Sequence, residues 1–72
     1  EDEIEVKGRI SRLTSVSDFT VLDAAKREFL VNGSAARIED GSLSDIKAGA
    51  SIEVKGRPSG NLLNATRIKV SR

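Results

Sequence analysis

The side chains in this sequence that could do chemistry are carboxylates, amines, guanidinium groups and hydroxyls. It contains no histidine and no cysteine. The commonest general base, the commonest metal ligand, the thiolate nucleophile and the thiolate zinc site are therefore all missing. The acids best spaced to be noticed are Asp18, Asp23, Asp40 and Asp45. Each falls at the end of an apolar segment, where aspartate ordinarily shapes a turn or caps a helix. Asp40 and Asp45 are close in sequence, but the stretch lacks the glycine and ligand spacing of a calcium loop. The six glycines form neither a P-loop nor a dinucleotide-binding fingerprint. Catalysis is not expected, and no cofactor or metal is implied.

What remains is binding, and charge limits its kind. Twelve basic residues stand against eleven acidic ones, a net charge of +1. A dedicated polyanion binder would carry a clear basic excess. The aromatics are Phe19 and Phe29 alone, so the amphipathic rings of Tyr and Trp are unavailable. No apolar run approaches the ~20 residues of a helical membrane span. Seventy-two residues make one small domain, here taken as 1–72, with a thin core. The chain starts at Glu1 and contains no methionine, so it is read as a processed form or an excised piece of something longer.

The elements that would position any site are mostly strands. Ile4, Val6, Gly8 and Ile10 alternate with Glu5, Lys7, Arg9 and Ser11, the period of a half-buried strand, expected over 3–13. A polar turn over 14–18 leads to a second strand at Phe19–Leu22. Asp23 to Arg27 then forms a hairpin loop. A third strand runs over 28–32. Gly33-Ser34 interrupts it, and 35–38 either resumes it after a bulge or leaves as an extended loop. Ser42 to Gly49 packs helix signals together. Ser42 and Asp45 have capping-box spacing, Leu43 and Ile46 share a helical face, and Gly49 suits a left-handed end. A single helical turn is expected there. A fourth strand follows over 50–57, a turn at Pro58-Ser59-Gly60-Asn61, and a fifth strand over 62–70. In that last strand Leu63 and Ala65 take one parity while Thr66, Ile68 and Val70 take the other, which places a bulge near 63–65.

One hexapeptide occurs twice. Ile4-Glu5-Val6-Lys7-Gly8-Arg9 recurs as Ile52-Glu53-Val54-Lys55-Gly56-Arg57. The flanking sequences differ, so the copies read as two strands in equivalent environments rather than tandem units. Laid antiparallel, they complement each other in two registers. One sets Lys7 opposite Lys55, with Glu5 facing Arg57 and Arg9 facing Glu53. The other sets Glu5 opposite Lys55 and Lys7 opposite Glu53. Opposite charges facing across strands contribute ~0.2–1 kcal/mol per pair. The first and fourth strands are thus neighbours, each bent at its glycine.

Three strands, a helical turn, then two strands, with the first paired to the fourth, is the plan of an all-β, five-stranded OB-like Greek-key barrel. Its one short helical turn lies between strands three and four. Leu43 and Ile46 would close the open end. An SH3-like barrel places its short helix before the last strand, so it fits less well. Many OB-folds stack single-stranded nucleic acid on exposed aromatics. Phe19 shares parity with Val21 and Phe29 with Val31, which assigns both rings to the core. Nucleic acid is accordingly not the expected partner. The residues best placed to form a local ligand face are Arg9, Lys26, Arg27 and Arg37.

The sequence resembles a bacterial family of small OB-like domains of unknown function, often found in exported or envelope proteins. The resemblance rests on Val6 and Gly8, Phe19-Thr20-Val21, and Asp40-Gly41-Ser42-Leu43-Ser44-Asp45-Ile46. It continues through Gly49, Ile52-Glu53-Val54-Lys55-Gly56 and Ala65-Thr66-Arg67-Ile68. The loop at Ala24 to Arg27 departs mildly from the pattern. The resemblance implies a noncatalytic OB-like barrel in an extracytoplasmic protein. The expected role is structural or a contact with another protein, a glycan or other domains of the same chain. It supplies no ligand and no functional residues. The alternative from the fold alone is a binder of single-stranded nucleic acid or oligosaccharide.

Overall fold

The computed structural model describes residues 3–71. Six strands, β1 (Ile4–Ser15), β2 (Asp18–Asp23), β3 (Glu28–Asn32), β4 (Arg37–Asp40), β5 (Ser51–Ser59) and β6 (Leu62–Ser71), form one sheet with a 3-10 turn at Leu43–Asp45. The sheet order is β3-β2-β1-β5-β6-β4, and β3 also pairs with β6, which closes it. β3 and β4 are two halves of one barrel stave. A turn in which the Ala36 N–H donates to the Gly33 carbonyl at 3.1 Å separates them. Both then run parallel to β6 along successive stretches, Leu30–Asn32 beside Leu62–Asn64 and Arg37–Asp40 beside Arg67–Lys69. The result is the expected five-stave, OB-type barrel, and 37–40 resumes the strand.

Of the two registers open to the hexapeptides, β1 and β5 take the one with Glu5 opposite Lys55, Val6 opposite Val54 and Lys7 opposite Glu53. The Lys7 Nζ lies 3.6 Å from the Glu53 carboxylate. This register avoids a Lys–Lys contact and sets two buried valines face to face. The parity change in β6 is real. Lys55 pairs with Arg67 and Gly56 with Ala65, so Thr66 is the extra residue. The bulge thus sits one position beyond the expected 63–65. It turns Leu63 and Ala65 inward before it and Ile68 and Val70 inward after it. The Thr66 hydroxyl donates to the Lys55 carbonyl at 3.1 Å.

The core gathers Val6, Ile10, Phe19, Val21, Val31, Ile46, Ile52, Val54, Leu63, Ala65, Ile68 and Val70. Phe19 is in it as expected. Phe29 is only half-buried, at the barrel end, with the Arg27 guanidinium carbon 5.9 Å from its ring centroid, within cation–π range. The plug is half of what the sequence suggested. Ile46 is buried, but Leu43 is 56% exposed. The 3-10 turn is three residues long, and Ile46 already has extended backbone at φ −82° and ψ 102°. The helical spacing that would align Leu43 with Ile46 therefore ends before Ile46 is reached. The Asp45 carboxylate reaches back to the Ser42 N–H at 3.0 Å, while the Asp45 N–H donates to the Ser42 carbonyl at 3.0 Å.

Candidate functional site

Outward-facing side chains divide the barrel surface into two unlike halves. On the β1–β5–β6–β4 side, register alternates the charges: Glu5 faces Lys55, Lys7 faces Glu53, and both Glu53 and Lys55 face cations of β6, Lys69 and Arg67. A hollow of about 90 Å³ there is walled by Glu5, Glu39, Glu53, Lys55, Arg67 and Lys69, acids and bases in equal number. Arg67 Nε lies 3.6 Å from the Glu39 carboxylate. Glu53 is held below the ordinary glutamate value of 4.5, first by a hydrogen bond shared with Glu5, then by the charges of Lys7 and Lys69. The walls of this hollow balance in charge.

The β1–β2–β3 side does not. The outer row of β1 begins Glu5, Lys7, Arg9. The β1–β2 register then slips between Ile10 and Arg12, so Arg12 rather than Ser11 pairs outward, opposite Thr20, while Leu13 packs against the core. Lys7, Arg9 and Arg12 therefore line up. An open groove of about 450 Å³ lies beside the start of this row, lined by Lys7, Gly8, Arg9, Leu22, Ala24 and Lys26 among others. Arg9 lies opposite Leu22. Among the described residues neither Arg9, Arg12 nor Lys26 forms an ion pair.

The loop that carries Lys26 is stiffly built. One Asp23 carboxylate oxygen accepts the N–H groups of Ala25 and Arg27, each at 2.9 Å. The other lies 3.2 Å from both Nε and a terminal nitrogen of Arg27. Lys26 sits at φ 66°, a left-handed conformation that costs a side-chain-bearing residue energy and persists only where the surroundings enforce it. The Arg27 backbone N–H foremost, then the Arg27 charge and the Ala25 N–H, hold Asp23 below the ordinary aspartate value of 3.8. A depressed carboxylate stabilises the fold above its unfolded value, and that contribution is lost as pH falls through the lower folded value. Hydrogen–deuterium exchange at Ala25 and Arg27 should thus lose protection as pH drops below 3.8, and Asp23→Asn should abolish the pH dependence.

Of the four residues expected to form a ligand face, Arg9 and Lys26 meet at this groove. Arg27 is committed to Asp23 and Phe29. Arg37 stands on β4 opposite Arg67, on the other half of the barrel. Arg12, which the strand alternation would turn inward, joins the row only through the slip beside Ser11. The signal for it was the polar run Ser11-Arg12 within an otherwise alternating strand.

The barrel has known counterparts. CusF with bound Ag(I) superposes with a TM-score of 0.65 over 99% of this chain and 100% of that one, at 20% identity. Residues 10–88 of CusF from Escherichia coli, also with Ag(I), give 0.65 at 18% identity, over 99% and 94% of the two chains. A tryptophan-to-alanine variant of that protein with Cu(II) gives 0.61 at 19% identity, over 97% and 92%. At these identities the likeness is one of fold. No curated protein gives a significant sequence match. A family model, Domain of unknown function (DUF5666), matches residues 7–69, from the first outward lysine of β1 to the last one of β6, and the chain belongs to that family.

Proposed function

We propose that this chain is a noncatalytic β-barrel module of a larger, exported bacterial protein, whose outer β1–β2–β3 face contacts another protein or a glycan. The observation that carries this reading is the row of cations on this face: Lys7, Arg9 and Arg12 follow one another along β1, Lys26 meets Arg9 at the groove, and among the described residues Arg9, Arg12 and Lys26 form no ion pair. The extracytoplasmic setting rests on the family resemblance read from the sequence. The absence of histidine and cysteine supports a role without chemistry.

The metals named with CusF do not transfer to this chain. Ag(I) and copper favour thiolate, thioether and imidazole donors, and the sequence has no Cys, Met, His or Trp. Among the described residues no three acids cluster closely enough to hold a cation. A second reading, an OB-type binder of single-stranded nucleic acid, is favoured by the cationic row alone. Against it, Phe19 is buried and Phe29 faces inward with an arginine beside it, so no ring is presented for base stacking.

One series of titrations monitored by amide chemical shifts tests both points. Silver nitrate should leave the spectrum unchanged at equimolar concentration. A mixed-sequence oligonucleotide should show no micromolar binding at ~0.15 M salt, with any low-salt binding lost on adding salt as counterion release demands. Saturable silver binding would restore the metal role. Oligonucleotide binding abolished by Phe29→Ala in a folded variant would establish the second reading.

A further inference from the structure

We propose that the outer face of β1–β2–β3 docks an extended acidic segment of a partner protein, its carboxylates on the Lys7–Arg9–Arg12 row and its aliphatic side chains on the leucines beside it. This rests on the contact-module reading above and gives it a partner chemistry.

Charge supplies the first half of the argument. Lys7, Arg9 and Arg12 follow one another along β1, and Lys26 is held over the same groove by the Asp23-braced loop. Asp23, the acid at that groove, has both carboxylate oxygens occupied by Arg27 and by backbone N–H groups. The other acids of the face, Asp18 and Glu28, form no ion pair among the described residues. They stand toward its opposite corners, Asp18 beside Ser15 and Glu28 beside Leu22. The cations thus outnumber the available acids. At Arg9, Arg12 and Lys26 an anionic partner would meet guanidinium and ammonium groups that need not first leave another carboxylate, whereas Lys7 would exchange Glu53.

Aliphatic surface supplies the second half. Across the strands the register reads Arg12, Thr20, Leu30, Leu62. Leu30 is 48% exposed and Leu62 37% exposed, side by side on the parallel β3–β6 seam. Thr20 is nonetheless buried, as expected if the longer Arg12 and Leu30 side chains fold over it. Leu22, opposite Arg9, extends the apolar strip into the groove. A polyphosphate backbone would use the cations and leave the leucines uncovered. Bases and sugars would need a planar aromatic platform, and neither phenylalanine provides one. A strand-like peptide presents alternate side chains to one face. One carrying carboxylates and aliphatic groups matches both rows.

The test uses the intact chain at ~0.15 M salt with four fluorescent probes. These are a peptide alternating glutamate and valine, an oligoglutamate of equal charge, an oligothymidine and a heparin oligosaccharide. The glutamate–valine peptide should bind most tightly and weaken as salt is raised. It should lose about tenfold or more in affinity on Arg9→Glu with Arg12→Glu, and should weaken on Leu30→Ser while oligoglutamate binding is unaffected. Among the described residues neither Arg9 nor Arg12 forms an ion pair, and Leu30 is half exposed, so a cooperative melt should survive. Lys26→Glu, at a loop tip outside every strand, gives the same charge test should the double variant unfold. Tighter binding of heparin would overturn the peptide assignment and leave the contact reading standing, whereas tighter binding of oligothymidine would overturn both in favour of nucleic acid. Failure of all four probes would overturn both.

Discussion

Gly8→Ala and Gly56→Ala are expected to be among the most damaging single changes in this chain, although each adds one methyl group. A Cβ on Gly8 would strike the Leu22 carbonyl oxygen, with the Leu22 carbonyl carbon 2.8 Å away. A Cβ on Gly56 would strike the Asn64 carbonyl oxygen, with the Ala65 Cα at 2.8 Å. In both cases the obstruction is backbone of a paired strand, which cannot rotate aside as a side chain would. Overpacking of this kind typically costs ~1–3 kcal/mol, occasionally more, and these sites belong at or above the top of that range. A domain of this length has roughly 4–11 kcal/mol in total. Gly49→Ala is the control. Gly49 has φ +88°, but nothing lies within 4 Å of the added carbon, so the expected loss is only the ~1–2 kcal/mol of a left-handed non-glycine residue. Urea melts of the three variants should rank Gly49→Ala well above the other two. Equal midpoints would mean the strands separate at the repeat glycines without penalty.

Ile46→Ala should cost ~2–5 kcal/mol, the range for truncating a buried aliphatic side chain. Ile46 is 3% exposed and, among the described residues, is the one fully buried core residue contributed from outside the strands. It joins the strand-borne core from the segment between β4 and β5. Leu43→Ala, three residues earlier, should change stability by no more than about 0.5 kcal/mol, as for other exposed positions. Thermal melts of both variants decide it. A large loss at Leu43 would place that side chain in the barrel mouth.

The same two residues show where sequence reading stops. Their spacing announced a helical turn, and the turn is there. Whether the helical path continued to Ile46 depended on a backbone exit that spacing alone does not encode. The repeat was legible down to partner strands because its charges admit only complementary registers. Choosing between those registers required the valines, which pair across strands in one of them and not in the other. The bulge in β6 was legible because Leu63, Ala65, Ile68 and Val70 must all face inward and a regular strand cannot turn them so. The slip in β1 was less so. Ser11 and Arg12 are both polar, so apolar parity gave little sign of which would face outward. That single ambiguity hid Arg12 from the candidate face. Arg37 was grouped with Arg9 on charge type, whereas strand order sets it on the other half of the barrel.

The pairing of β5 between β1 and β6 has a mechanical consequence. Both neighbours run antiparallel to β5, so β1 and β6 point the same way. Tension drawing Ile4 backward along β1 and Ser71 forward along β6 therefore acts along the strand axes in opposite senses. It slides the two outer strands past β5 rather than peeling either from its end. All the rungs from Ile4–Gly56 to Arg9–Ser51, and from Ser51–Ser71 to Ser59–Leu62, share the load together. Peeling would break them one at a time at far lower force. Held by its two ends within a longer chain, this barrel is oriented to transmit pull rather than to unravel under it.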